Sequence, residues 1–176
     1  AKDRSSSQPA GHTIIARLND GGNDGSAVFN LDDTGGTGAV VRLYFYLNSA
    51  EPGATVDIGT FQEVSGNTFT TRDTVQGIPV KQGMNVLKLG RDYNDLDIHY
   101  GDYIGIYLND CTLAAQGTSG SGSWRLAGDQ IPSVNQAFGT PAGGQVSLWA
   151  ELYDDAGAMQ QYEQDWNDWY SSGSAK

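Results

Sequence analysis

The chain has 176 residues, of which 38% are hydrophobic and 10% aromatic, enough to form the core of one domain without disulfide bonds or metals. Its 10 basic and 21 acidic residues give a net charge of −11, which disfavours nucleic-acid binding and insertion into anionic membranes. The 24 glycines and only 5 prolines are typical of short strands joined by tight turns, and they argue against a disordered linker.

Most of the chain has the pattern of β-strands. Residues 1–10 are polar and predict a flexible N-terminal arm. From Thr13 onwards, short segments alternate apolar with polar side chains, as strands with one buried face do, and clusters of Gly, Asn, Asp and Ser between them predict turns. The predicted strands are Thr13–Leu18, Ser26–Leu31, Ala39–Leu47, Thr55–Glu63, Asn67–Val75, Asn85–Leu89, Leu96–Tyr100, Tyr103–Leu108, Thr112–Gln116, Ser123–Leu126 and Gln145–Leu152.

This succession of strands, with no amphipathic helix between them, predicts the fold class. We expect an all-β domain over residues 11–153, built as an antiparallel two-sheet sandwich of jelly-roll type. Residues 154–176 have a different composition and predict an acidic, aromatic C-terminal tail that is either helical or extended.

The tail is the first candidate for partner binding. Its large apolar residues recur mainly at steps of three and four, so a helix would carry an aromatic stripe. One interpretation is that the tail packs on its own domain, and the other is that it docks on a neighbouring copy. In the second case the partner-binding residues are Tyr162, Trp166, Trp169 and Tyr170.

Residues that could carry catalysis are sparse. A hydrolase triad needs a serine, a histidine base and a carboxylate, but the chain contains only His12 and His99 and lacks the Gly-x-Ser-x-Gly motif. A glycoside hydrolase needs two carboxylates across a cleft, and Glu51, Glu63 and Glu151 form no recognisable pair. We therefore predict a protein that is not an enzyme, with glycan hydrolysis as the remaining catalytic alternative.

Two stretches of the sequence carry oxygen ligands suited to calcium. Asp, Asn and loop carbonyls match the six to eight oxygens that Ca²⁺ takes, although neither stretch has EF-hand spacing and ordinary turns use the same residues. Calcium is therefore an optional ligand, and no cofactor is required. The candidate ligands are Asp20, Asn23 and Asp24 in the first stretch and Asp92, Asp95 and Asp97 in the second.

Two tryptophans are candidates for binding a glycan, which needs an aromatic platform beside polar groups. Trp124 adjoins the Gly/Ser-rich residues 117–123, which favours a position at the rim of the domain. Trp149 lies on the opposite face of its strand from the aliphatic residues, together with Glu151. For each tryptophan, packing in the core is the alternative.

Residues 83–130 carry a resemblance to a known kind of module. The phrases that carry it are Gly83-Met84-Asn85-Val86-Leu87-Lys88-Leu89, Gly101-Asp102-Tyr103-Ile104-Gly105-Ile106-Tyr107 and Gly122-Ser123-Trp124. This part resembles a jelly-roll module that recurs in virion-surface and secreted proteins and is broadly similar to lectin-like sandwiches. The resemblance spans about residues 40–152 and implies a fold, since its motifs are structural rather than catalytic.

Together these features predict a structural or attachment module at a virion surface or in the extracellular space. We expect it to assemble with copies of itself or with other surface proteins. A carbohydrate-binding domain, assisted by calcium, is the alternative function.

Overall fold

The computed structural model describes residues 3–17, 26–27, 36–116, 123–139 and 145–154, which form an all-β fold. Within them, twelve strands make one sheet that is curled into a half-barrel. All strand pairs are antiparallel except that of β3 with β12. The strands are β1 Ser6–Gln8, β2 His12–Arg17, β3 Ser26–Ala27, β4 Thr37–Ser65, β5 Thr68–Pro79, β6 Gly83–Lys88, β7 Leu96–His99, β8 Tyr103–Gln116, β9 Ser123–Ala127, β10 Gln136–Ala137, β11 Gln145–Val146 and β12 Leu148–Asp154.

Strand β4 is far longer than the sequence predicted, because it joins two predicted strands into one of 29 residues. Its pairing register with β8 shifts between Leu47 and Ser49 and again between Ala50 and Thr55, so the intervening residues bulge while the chain continues onward. The first half of β4 pairs with β6, β7 and β12, and the second half pairs with β5 and β8. This single strand therefore pairs with five other strands of the described sheet.

The larger hydrophobic cluster, here called the inner core, takes side chains from both halves of β4. Phe45 and Leu47 come from the first half and Val56 and Ile58 from the second, and all four are fully buried. Each such side chain contributes about 1.5–3 kcal/mol when it leaves water. Cys111 also belongs to this core, and its burial raises the pKa of the thiol to about 11.

A second cluster, the outer aromatic cluster, lies on the opposite side of the same strands. It consists of Ile15, Phe61, Phe69, Tyr103, Trp124, Ile131 and Phe138. Ile15 follows Ile14 of the inner core and must face the other way, because successive residues of a strand alternate. The ring of Phe69 is central: its centroid lies 5.1 Å from Tyr103, 5.4 Å from Trp124 and 5.7 Å from Phe138, each in edge-to-face geometry.

Residues 128–139, here called the strap, cover this outer cluster. The strap contributes Ile131 and Phe138 to the cluster. Its backbone is held across the sheet: the Gln130 N–H donates to Thr13 Oγ1 on β2 at 2.9 Å, and the Phe138 N–H donates to the carbonyl of Asn67 at 2.8 Å. The aromatic side of these strands is thereby enclosed by the chain itself.

A pair of carboxyl groups lies where the strap begins. Asp129 accepts the N–H of Ile131 at 2.9 Å, and Asp57 on β4 accepts the N–H of Gly77 at 2.7 Å. Burial, followed by a hydrogen bond between the two carboxyl groups, raises the pKa of Asp129 to about 6. Burial, followed by the charges of Asp129, Asp57 and Asp110, raises the pKa of Tyr107.

Part of the segment predicted as a flexible arm belongs to the sheet. Ser6–Gln8 pair with β8, and Gln8 is only 4% exposed. The side-chain amide of Asn48 donates to the carbonyl of Ser6 at 2.8 Å, which fixes the strand from its other side. The predicted tail lies outside the described residues apart from Asp154, which ends β12. None of the described residues belongs to a helix that could span a membrane.

Candidate binding face

Three neighbouring strands carry a partly exposed apolar surface on their outer side. In the first half of β4, Tyr44 and Tyr46 alternate with fully buried residues of the inner core. Tyr46 lies opposite Met84 of β6, and Tyr44 lies between Val86 of β6 and Trp149 of β12. These five residues are here called the aromatic face.

All five side chains of the aromatic face are partly exposed to solvent. Met84 is 40% exposed and Val86 is 42% exposed, and the three aromatic residues are of intermediate exposure. The rings of Tyr44 and Trp149 are in edge contact, with centroids 4.8 Å apart. The surface therefore has a rigid aromatic pair at its centre and exposed aliphatic groups at one side.

An ion pair borders the aromatic face. Arg42 Nε lies 2.6 Å from Glu151 Oε2, and the Tyr44 hydroxyl donates to Glu151 Oε1 at 3.4 Å. Burial raises the pKa of the Glu151 carboxyl, while the Arg42 guanidinium opposes that shift. Burial and then the Glu151 charge raise the pKa of Tyr44. The face thus offers stacking surfaces beside a fixed carboxylate and guanidinium, which are the usual means of binding a protein or a sugar.

The two tryptophans predicted to bind a ligand occupy different environments. Trp149 lies beside Glu151 on the face of β12 opposite Leu148, Ala150 and Leu152, and its side chain is of intermediate exposure. Trp124 is only 6% exposed, and its Nε1–H donates to Asn67 Oδ1 at 3.1 Å. Because Phe69 and Tyr103 pack on the Trp124 ring, the structure favours the packing role that the sequence left open for it.

The structure describes only the second of the two predicted calcium stretches, since Asp20, Asn23 and Asp24 lie outside the described residues. Asp92 and Asp95 line an open cleft of about 530 Å³ together with Tyr93 and Asn94. Asp97 lies instead on β7, where its N–H donates to Asp73 Oδ2 at 2.8 Å. Among the described residues, no three His, Cys, Asp or Glu side chains lie together in a way that could hold a metal ion. A calcium site stays a prediction.

Of the five residues of the aromatic face, the sequence indicated only Trp149 as a binding residue. The sequence did contain a signal for Tyr44 and Tyr46. The run Leu43-Tyr44-Phe45-Tyr46-Leu47 has apolar side chains on both faces of its strand, so both faces are expected to pack against other groups. For Met84 and Val86 the signal was ambiguous. They alternate with Asn85 and Leu87, and the structure buries Asn85 instead, at 7% exposure.

Comparisons with known proteins place no constraint on the function of this chain. Searches against protein-family models, curated proteins and solved structures find no match. The resemblance to jelly-roll and lectin-like modules therefore stays a prediction.

Proposed function

We propose that this chain is a non-enzymatic binding and assembly module that uses the aromatic face to join copies of itself. The observation that supports the proposal is the face itself: two tyrosines, a tryptophan, a methionine and a valine meet on three adjacent strands and are not fully buried by the described chain. Contiguous apolar surface of this kind marks interaction sites on proteins that are otherwise polar outside.

The composition of the face fits the interior of a protein interface. Aromatic residues, methionine and arginine are enriched in such interiors, and lysine and acidic residues are depleted there. Tyr44 and Trp149 form the rigid centre, and the Arg42–Glu151 ion pair forms a polar border. Buried aromatic anchors surrounded by polar groups are the usual arrangement of binding hot spots.

Sedimentation equilibrium of the full chain tests this proposal. Val86→Asp places a charge on the face, and Val134→Asp is the matched control because Val134 is 74% exposed on the strap. We expect the unmodified chain and Val134→Asp to self-associate equally. We expect Val86→Asp to weaken association by about tenfold or more, as loss of a hot-spot contact does. Equal association by all three proteins would refute assembly through this face.

A carbohydrate-binding role is the second candidate, and the environment of Trp149 favours it. A partly exposed indole beside a fixed carboxylate and guanidinium can stack on a sugar ring and hydrogen-bond to its hydroxyls. A glycan array with the full chain tests it. We expect binding that Trp149→Ala abolishes and Trp149→Phe partly retains. Loss on adding a chelator would indicate that calcium contributes, and a blank array would leave no support for this candidate.

The finer fold and the location are also proposals. We propose that the curled sheet is a jelly-roll sandwich, with the two halves of β4 in opposite layers. The inner core supports this arrangement, because it combines Phe45 from the first half with Ile58 from the second. A role at a virion surface or in the extracellular space agrees with an acidic surface and with assembly as the function.

A further inference from the structure

We propose that the C-terminal segment, residues 155–176, is the part of the protein that covers the aromatic face. This inference rests on the proposed function, since it names the occupant of the same surface. The segment is rich in aromatic residues, with Tyr162, Trp166, Trp169 and Tyr170 within a short stretch. Such side chains are those that bind best in an apolar, partly exposed surface.

The point at which the segment leaves the domain supports this assignment. Strand β12 contributes Trp149 to the aromatic face and ends at Asp154, which is opposite Gly38 of β4. Asp154 is five positions along the strand from Trp149, so the segment starts about 17 Å from that tryptophan. Residues 155–157 are Asp-Ala-Gly, and the glycine allows the chain to reverse towards the face.

The spacing of the aromatic residues matches the dimensions of the face. From Met159 to Trp169, a helical segment would extend about 15 Å. Along β4, Tyr46 of the face and the bordering Arg42 are about 13 Å apart. A stripe of apolar side chains at helical spacing could therefore contact the whole face at once.

Charge favours this segment over the same face of a second copy. Residues 155–176 contain four acidic residues and one lysine. Basic residues lie at the border of the face on the β6 side, with Lys81 before β6 and Lys88 opposite Arg42, whereas Arg91 in the next loop lies beside Asp92 and Asp95. Two faces placed against each other would bring these like charges together, whereas the acidic segment brings opposite charges to them.

Site-specific photo-crosslinking in the full chain tests the inference. A benzoylphenylalanine residue replaces Val86 on the face, and the controls carry it at Val64 or Val134, which are 50% and 74% exposed. We expect irradiation to capture a peptide from residues 155–176 at position 86 and at neither control position. A double substitution, Trp166→Ala with Trp169→Ala, should lower the yield at position 86 about tenfold or more.

The size of the product separates this inference from the proposed function. A crosslink between two chains would support both. A crosslink within one chain would support the inference and would overturn assembly through this face. If position 86 captures no peptide from residues 155–176 while Val86→Asp still weakens association, the inference is wrong and the proposed function stands. If neither effect is seen, both are wrong.

Discussion

Two aromatic surfaces lie on the outer side of the same curled sheet, and they differ in what covers them. The outer aromatic cluster, centred on Phe69, is enclosed by the strap and is almost fully buried. The aromatic face, centred on Tyr44 and Trp149, is partly exposed, and Val86 at its edge is 42% exposed. The two surfaces have similar side chains, so residue type alone does not decide which becomes core and which is available for binding.

The difference shows how one sheet can supply both stability and function. The strap adds Ile131 and Phe138 to its cluster and makes backbone hydrogen bonds across the sheet, which fixes that side of the domain. No described segment does the same for the aromatic face, so its apolar area is available to a partner. Substitutions on each surface therefore test this contrast.

Phe69→Ala should be the most damaging substitution. It removes a fully buried ring that contacts three other aromatic rings, and such truncations cost about 3–5 kcal/mol in unfolding free energy. Tyr46→Ala on the aromatic face is the matched control, and we expect it to cost less than about 1 kcal/mol. Urea unfolding at low protein concentration measures both, and equal costs would contradict the contrast between the two surfaces.

Breaking the more buried Arg72–Asp102 ion pair should lower the free energy of unfolding more than breaking the Arg42–Glu151 pair. Asp102, whose side chain is 3% exposed, accepts hydrogen bonds from Arg72 Nη2 at 3.0 Å and from the His99 N–H at 2.9 Å. Asp102→Ala leaves these donors without their acceptor and should cost about 3 kcal/mol. Glu151→Ala should cost about 1 kcal/mol, because that pair is more exposed. Chemical denaturation of both variants checks the order, and the reverse order would refute it.

Gly105→Ala should destabilise the covered side by overpacking. A Cβ at this position would overlap the ring of Phe61, which is fully buried and packs against Phe138. Insertions of this kind cost about 1–3 kcal/mol. Gly139→Ala is the control, since its Cβ would meet no atom within 4 Å, and we expect almost no change in thermal midpoint. A neutral Gly105→Ala would show that this side is packed loosely.

The smallest expected effect is a dependence on pH at the start of the strap. The pKa of Asp129 is raised from 3.8 to about 6, so the folded state binds this proton more tightly than the unfolded chain. The resulting stabilisation is complete below about pH 4 and is lost as the pH rises through about 6. Asp129→Asn should reduce the dependence of the unfolding free energy on pH, while its amide oxygen can still accept the Ile131 N–H. Urea midpoints between pH 4 and 8 measure it, and an unchanged slope would exclude Asp129 as its source.

The sequence predicted the strand content well, because alternation of apolar and polar residues is a local property. It failed at the ends of strands that continue through irregular residues. Glu51-Pro52-Gly53 has the composition of a turn, yet β4 continues through it, since pairing with β8 resumes at Thr55 after a register shift. Likewise β8 continues through Asp110, which has a φ of 61°.

The candidate site was predicted only in part, because tertiary packing decides which face of the sheet another segment covers. Alternation assigned Trp149 to the face of its strand opposite Leu148, Ala150 and Leu152, and in the structure those three residues are buried while Trp149 is partly exposed. The sequence could not show that the strap would enclose Trp124, because residues 128–139 have no strand periodicity. Nor could it show that Asn85 would be buried through hydrogen bonds to the backbone of Lys81, which turns Met84 and Val86 outward.

Hydroxyl-radical footprinting of the full chain over a range of protein concentrations tests the central claim most directly. If the aromatic face joins copies of the chain, Tyr44, Tyr46, Met84 and Trp149 should become less reactive as concentration rises. Tyr100, which is 55% exposed elsewhere, should keep a constant reactivity. Reactivity of the face that does not change with concentration, or protection that develops on another surface, would contradict assembly through the aromatic face.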